Sequence, residues 1–390
     1  MKIIIASIIA VLILLQAAPS FADDLMDVGR AVSIDVMLEN AVRRGLISGG
    51  VVAIGNQAGQ LYATSLGSLY PEAGSPLLSD RTLFDTASLT KVIATAPAIM
   101  KLLEQGKINL LDPISRWFPE FEDTDRDEIT ILNLLTHTSG LDDVELASDD
   151  PLKSLIEKAI VQNNGALLGS RFRYADINFI LLGELVKRVS RTPLDKFCAE
   201  HIFAPAGMAE TGFLPQSDQS AIAPTTGLNK VLRAGVVQDM NARRLGGVSG
   251  HAGLFSTASD LTRFATMILN RGKSSGGEVF TERVVAQMTS PYFSSHGKII
   301  RGLGWDIHSP FSSPRGSYFS DMSFGHTGYS GSSIWIDPEQ DLFVILLTVR
   351  LDYANVRQFN QLRSDISTLA VSVFSTPRIA AELAGEVKIP

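Results

Sequence analysis

Segments of β character lie at the two ends of this 390-residue chain and helical patterns fill its middle. A main sheet can therefore close only by joining strands from opposite ends of the chain. Residues 51–55 and 61–64 are apolar runs on either side of Asn56-Gln57-Ala58-Gly59, and they read as a hairpin. Near the other end, residues 303–307, 332–336 and 342–348 read as strands, with the turn signal Asp337-Pro338-Glu339-Gln340 between the last two. Helical spacing marks 25–46, which Gly49-Gly50 should end, and then a helix opening at Ser88, running to about Leu103 and stopping at Gly106. Further helices are expected at 131–135, 152–161, 177–189, 194–203, 261–269, 282–288 and 356–373. The pattern predicts an α+β fold: an antiparallel β-sheet flanked by helices, with a helical insertion. The sheet part would span about 23–87 and 253–375, and the helical part about 88–252.

Ahead of this unit, Lys2 precedes an apolar stretch from Ile3 to Leu15, and Ser20-Phe21-Ala22 supplies small residues for a cut after Ala22. That layout reads as a secretory signal over 1–22, leaving a mature unit of 23–390. A periplasmic or secreted location is expected after that cut, with membrane contact only through the signal segment if it stays uncleaved. Cys198 is the single cysteine, so neither an internal disulfide nor a cysteine metal cluster can form. The chain carries 34 basic and 41 acidic residues, a net charge of −7. No stretch gathers Lys and Arg, which argues against nucleic-acid binding.

Three short motifs carry candidate chemistry. In Ser88-Leu89-Thr90-Lys91 the serine and lysine fall at i and i+3, on one helix face, where the amine can reach the hydroxyl. Tyr174-Ala175-Asp176 precedes the helix at 177–189, and a neighbouring lysine can lower a tyrosine pKa. His326-Thr327-Gly328, followed by Tyr329-Ser330-Gly331, leads into a strand, where glycines let a substrate backbone approach. Each motif alone is weak; Ser295-His296-Gly297-Lys298 repeats the first without a clear helix. No serine has glycines at both −2 and +2, no H-E-x-x-H occurs, and no P-loop is present. His137 and His251 sit in Gly/Ser/Thr-rich loops and read as satisfying backbone groups there.

In this order, the three motifs resemble those of the serine β-lactamase and penicillin-binding superfamily. The likeness is greatest to its class C β-lactamase-like group, with D-alanyl-D-alanine carboxypeptidases and esterases. It implies a β-lactamase/transpeptidase-like fold and a hydrolase that needs no metal or organic cofactor. Ser88 would form an acyl-enzyme, Lys91 and Tyr174 would form the base system, and the backbone N–H groups of Ser88 and Tyr329 would form the oxyanion hole. His326 and Thr327 would meet a substrate carboxylate, with Asp176, Gly328 and Tyr329 also binding substrate. Two departures stand out. Asp176 replaces an asparagine that could donate to the substrate, and a carboxylate near Lys91 favours the charged lysine. His326 replaces a lysine, so a carboxylate anchor there needs a protonated imidazole, whose affinity would rise as pH falls. The expected partner is a small molecule or a peptidoglycan peptide. A D-alanyl-D-alanine carboxypeptidase leads, followed by an esterase and a β-lactamase; a penicillin-binding module without turnover is the alternative of another kind.

Overall fold

The computed structural model of the chain describes residues 21–162, 168–216, 221–226, 231–296 and 298–375. Of the expected export segment, 1–20 lies outside these residues. Helix α1 (Phe21–Arg43) opens the described chain. Strand β1 (Ile47–Asn56) is buried almost throughout, so it has to lie inside a sheet covered on both faces. It pairs antiparallel with β2 (Gly59–Gly67) on one side. Its other neighbour is a strand from the far end of the chain. With β3 (Phe324–Thr327), β4 (Ser333–Asp337) and β5 (Leu342–Arg350), the sheet order is β3-β4-β5-β1-β2. Every pairing is antiparallel, and the fold is α+β.

The alternation of side chains along β1 and β5 sorts two cores. Val52, Ile54, Val344 and Leu346 face one layer, with Ile34 and Leu38 of α1 and Phe359 and Ile366 of the helix Val356–Phe374. Val51, Ala53, Ile345 and Leu347 face the other, with Leu261 and Phe264 of the helix Ala258–Leu269 and the whole helical region. Gly49 and Gly50 lie within β1 and do not end the preceding helix, which stops at Arg43. A Cβ on Gly49 would meet the Leu66 carbonyl at 2.7 Å, so these glycines let strands approach closely.

Two further expectations change. The helix expected from Ser88 is a 3-10 turn, Ala87–Leu89, followed by a π-helical turn, Lys91–Thr95, and only then α2 (Ala96–Glu104). Pro97 is the physical reason: it has no N–H for the carbonyl four residues back, and its ring crowds that carbonyl, so the turn widens. Residues 303–307 do not form a strand. Gly302 N–H bonds Trp305 O at 2.9 Å, and Asp306 makes only isolated bridges to Arg301 and Gly325. The alternation of Leu303, Trp305 and Ile307 reflects burial in a folded-back loop. Among the described residues, no helix is long and apolar enough to cross a membrane.

Candidate active site

A two-residue strand, Phe84–Asp85, pairs with Leu254–Ser256 and delivers the chain to Ser88. Between them Ala87 has φ +47°, a left-handed conformation that costs a non-glycine residue on the order of 1 kcal/mol or more. Two contacts hold it there: Ala87 N–H donates to Asp85 Oδ1 at 2.8 Å, and Thr86 N–H donates to Leu254 O at 2.9 Å. The bent turn points Ser88 into a cavity of about 760 Å³ between the sheet edge β3 and the helical region. Seven of the eight residues singled out by sequence line this cavity: Ser88, Tyr174, Asp176, His326, Thr327, Gly328 and Tyr329. Lys91, the eighth, is fully buried behind the wall.

Asp85 is buried, and burial pushes its carboxyl up to about 6, against the two N–H groups of Gln238 and Ala87 that favour its charge. The raised folded value means that stability is fully present below the unfolded value near 4. It falls between about pH 4 and 6, as the unfolded chain ionises first, by about 3 kcal/mol, and then levels. Asp85→Asn keeps an acceptor and removes the charge. Relative to wild type, the variant should gain about 2 kcal/mol in unfolding free energy from pH 4.5 to pH 7. Denaturant melts at the two pH values measure this, and a pH-independent difference would contradict a buried, raised Asp85.

Lys91 is held from three directions. Its Nζ lies 3.1 Å from Ser88 Oγ, 2.9 Å from the His251 carbonyl and 2.7 Å from Asp176 Oδ1. Burial alone would push this ammonium down, but the charge of Asp176 and the phenol of Tyr174 outweigh it, and the net shift is upward. The resting lysine is thus a cation paired with a carboxylate. The Lys91 ammonium lies 5.1 Å from the Tyr174 ring centroid, and Tyr174 lines the cavity together with Ser88. Burial raises the Tyr174 pKa, opposed by Lys91, and the net direction is up. His137 stacks on the Tyr174 ring at 4.6 Å, and its Nδ1 accepts the Ala175 N–H at 3.3 Å.

His326 sits on β3, 5.9 Å from the Tyr174 ring. Burial, then the charges of Arg301 and Lys91, push its pKa well below the ordinary histidine value. Its Nδ1 is 2.8 Å from the Thr327 carbonyl and donates to it. The imidazole is therefore neutral near pH 7, and a protonated carboxylate anchor there needs a pH below the ordinary histidine range. The turn after β3 is fastened to the nucleophile turn: Ser330 Oγ donates to Asp85 O at 2.6 Å and Ser332 Oγ to Thr86 O at 2.8 Å. The Ser88 and Tyr329 backbones are thereby fixed on facing rims.

Sequence reasoning missed Asp239, Arg301, Asp306 and Phe311, all of which line the cavity. Asp239 had a signal as a helix cap, since its Oδ1 accepts the Ala242 N–H at 2.7 Å. The same oxygen bonds His251 Nε2 at 2.8 Å, and Ser249 Oγ bonds Nδ1 at 2.8 Å. Burial opposes ionisation of Asp239, but the His251 hydrogen bond and charge draw it down to about 2. Asp176, Asp239 and His251 are the one group among the described residues whose ligand atoms could surround a metal ion. The Lys91 ammonium already supplies positive charge there.

The β-lactamase family profile matches residues 34–364. The chain belongs to the β-lactamase family. It is a serine hydrolase of that family. An Escherichia coli (strain K12) protein named "Putative D-alanyl-D-alanine carboxypeptidase" is 31% identical over 309 residues, covering 68% of this chain and 69% of that protein. Among solved structures, EstCE1, a hydrolase with promiscuous acyltransferase activity, superposes with a TM-score of 0.72 at 23% identity, covering 88% of this chain and 99% of its own. A class C β-lactamase from Rhodobacter sphaeroides gives 0.71 at 18%, with coverage of 88% and 99%. This β-lactamase-family member thus shares its fold with a hydrolase of promiscuous acyltransferase activity and with a class C β-lactamase alike.

Proposed function

We propose that this exported β-lactamase-family hydrolase forms an acyl-enzyme on Ser88 and acts as a D-alanyl-D-alanine carboxypeptidase-like peptidase. The observation that carries the reading is Ser88 Oγ at 3.1 Å from Lys91 Nζ, with the Tyr174 ring 5.1 Å from that ammonium, at the wall of an open cavity. Ser88 Oγ attacks the scissile carbonyl, and its proton passes to the Lys91–Tyr174 pair. The carbonyl oxygen becomes an oxyanion between the backbone N–H groups of Ser88 and Tyr329; one such donor is worth about 3 kcal/mol. Tyr174 returns a proton to the departing amine or alkoxide. Water, deprotonated by the same pair, then releases the acyl group and restores the Ser88 hydroxyl. The Asp239–His251 contact fixes the carbonyl that orients Lys91, a positioning role.

A small-ester esterase is the second reading, and the Lys91–Asp176 pair favours it. The carboxylate keeps the lysine protonated, so the base form of the Lys91–Tyr174 pair is scarce near neutrality. An activated ester, whose leaving group needs little protonation, tolerates that better than an amide. Turnover of a D-Ala-D-Ala peptide, a p-nitrophenyl ester and nitrocefin, measured in parallel, ranks the activities. The peptidase reading requires release of D-alanine, and its absence beside brisk ester hydrolysis would hand the assignment to the esterase.

Asp176→Asn tests the electrostatics. Without the carboxylate, burial of Lys91 is less opposed, so the pair loses its proton at lower pH. The rising alkaline limb of kcat/KM for a p-nitrophenyl ester should move acidward by about one unit or more. An unmoved limb would mean that Asp176 does not govern the base.

A further inference from the structure

Around Tyr329, which Arg350 and Tyr353 contact, the cavity wall has a different character from that at Ser88. It includes Arg243, Arg350, Tyr353, Asn360 and Arg363. Arg350 ends β5 and Arg363 lies on the helix Val356–Phe374, and the two residues are only 4% and 5% exposed. Arginine stays protonated in proteins, so two positive charges are buried side by side. Their neighbours are carbonyls and rings. Arg350 donates to Tyr329 O at 3.1 Å and Asp352 O at 3.0 Å. Arg363 donates to Gly328 O at 2.6 Å, Ser332 O at 2.8 Å and Asn360 Oδ1 at 3.1 Å. Both guanidiniums also lie against the Phe359 ring, at 4.3 and 4.6 Å.

Carbonyls and rings do not neutralise two like charges. Among the described residues, no carboxylate comes within ion-pair distance of Arg350 or Arg363; the charge of Asp352 favours protonated Arg350 from farther off, while its Oδ1 accepts the N–H groups of Ala354 and Asn355. Burial, and then the charge of Arg350, push Arg363 down. Buried hydrogen-bonding capacity is also left over. Arg350 Nη2, Arg363 Nε, Arg243 Nε and the Tyr353 hydroxyl have no partner. Leaving buried charges and donors in that state is destabilising, unless an anion supplies what is missing.

We propose that this part of the cavity is an anion subsite, and that the acyl part of the substrate carries a carboxylate beyond the scissile carbonyl. The direction follows from the cavity's layout and rests on the Ser88 acyl-enzyme reading. Tyr174, which serves the leaving group, stands at the end with His326 and Phe311, with ring centroids 5.9 and 5.6 Å away. The acyl group must then run the other way, past Tyr329, whose ring lies 5.0 Å from that of Tyr353. Arg350 and Arg363 also brace the strand turn at Tyr329 and Gly328, so substituting them would disturb the oxyanion rim. Arg243 and Tyr353 make no such brace, and they are the residues to change.

The experiment compares two p-nitrophenyl esters of equal acyl length, the glutarate monoester and the pentanoate. Wild-type enzyme should prefer the glutarate ester by about ten-fold or more in kcat/KM, and added salt should reduce that preference. Arg243→Gln and Tyr353→Phe should each cut the preference by about five-fold through KM, with the pentanoate rate unchanged. Equal or poorer turnover of the glutarate ester by wild type, or equal losses on both esters in the variants, would overturn the subsite. Loss of both ester activities without any adduct on Ser88 would instead overturn the acyl-enzyme reading beneath it.

Discussion

Replacing Ser88 with alanine should abolish covalent labelling and lower turnover of every accepted substrate by at least ~10³-fold, with the fold intact. Ser88 is only partly buried and packs at the cavity wall, so deleting one oxygen leaves no large void. Lys91 keeps its bonds to Asp176 and the His251 carbonyl, so the buried ammonium stays satisfied. Intact-mass measurement after treatment with a fluorophosphonate or a fluorescent penicillin checks the first half. A circular-dichroism melt, matching wild type within a few degrees, checks the second. Wild-type protein that takes up neither probe would argue for a binding module without turnover. Lys91→Ala is a poorer test of the same point, because it strands Asp176 and mixes lost chemistry with lost stability.

The second large effect is expected at Gly328. A Cβ built there would lie 2.3 Å from the Thr86 carbonyl and 2.1 Å from Ser332 Oγ. The Ser332 side chain has some freedom, but the Thr86 carbonyl belongs to the nucleophile turn and accepts the Ser332 hydroxyl that clamps the two rims. Gly328→Ala therefore has to part the β3–β4 turn from the Ser88 turn by a good fraction of an ångström. Displacements of that size in a reacting geometry cost about 10² in rate. The expected result is a fall of that order in kcat, with a smaller change in KM and a drop in melting temperature. Slower fluorophosphonate labelling of Ser88, followed over time, would report the same displaced geometry. An unchanged kcat would mean that the two rims do not act as one unit.

The sequence disclosed the parts of this site that local chemistry dictates. Ser88 and Lys91 share a helical face at any pitch near the usual one, so the π-helical turn that follows did not hide their meeting. The terminal strands were visible because β1 and β5 are near-continuous apolar runs, as strands covered on both faces must be. What stayed hidden depends on distant parts of the chain. His251 reaches Lys91 through its main-chain carbonyl, which no side-chain pattern encodes. His137 does meet a backbone N–H, as its loop suggested, but it also stacks on Tyr174, and only the tertiary fold brings those rings together. The stretch around Trp305 failed for a different reason. Its alternation of apolar residues mimics a strand, while Gly304, at φ +84°, folds the chain back so that Arg301 faces the cavity.

The sheet order carries a consequence for how the molecule is made. Ile54 pairs with Val344, so the inner edge of the first hairpin must wait for nearly the whole chain to be synthesised. Until then β1 offers an unpaired, apolar edge, the kind of surface that recruits a second chain. Such distant pairing also predicts slow folding. Any nascent or truncated chain ending before Leu342 lacks the strand that closes this edge. It should therefore aggregate or be degraded, and should not persist as a smaller working enzyme.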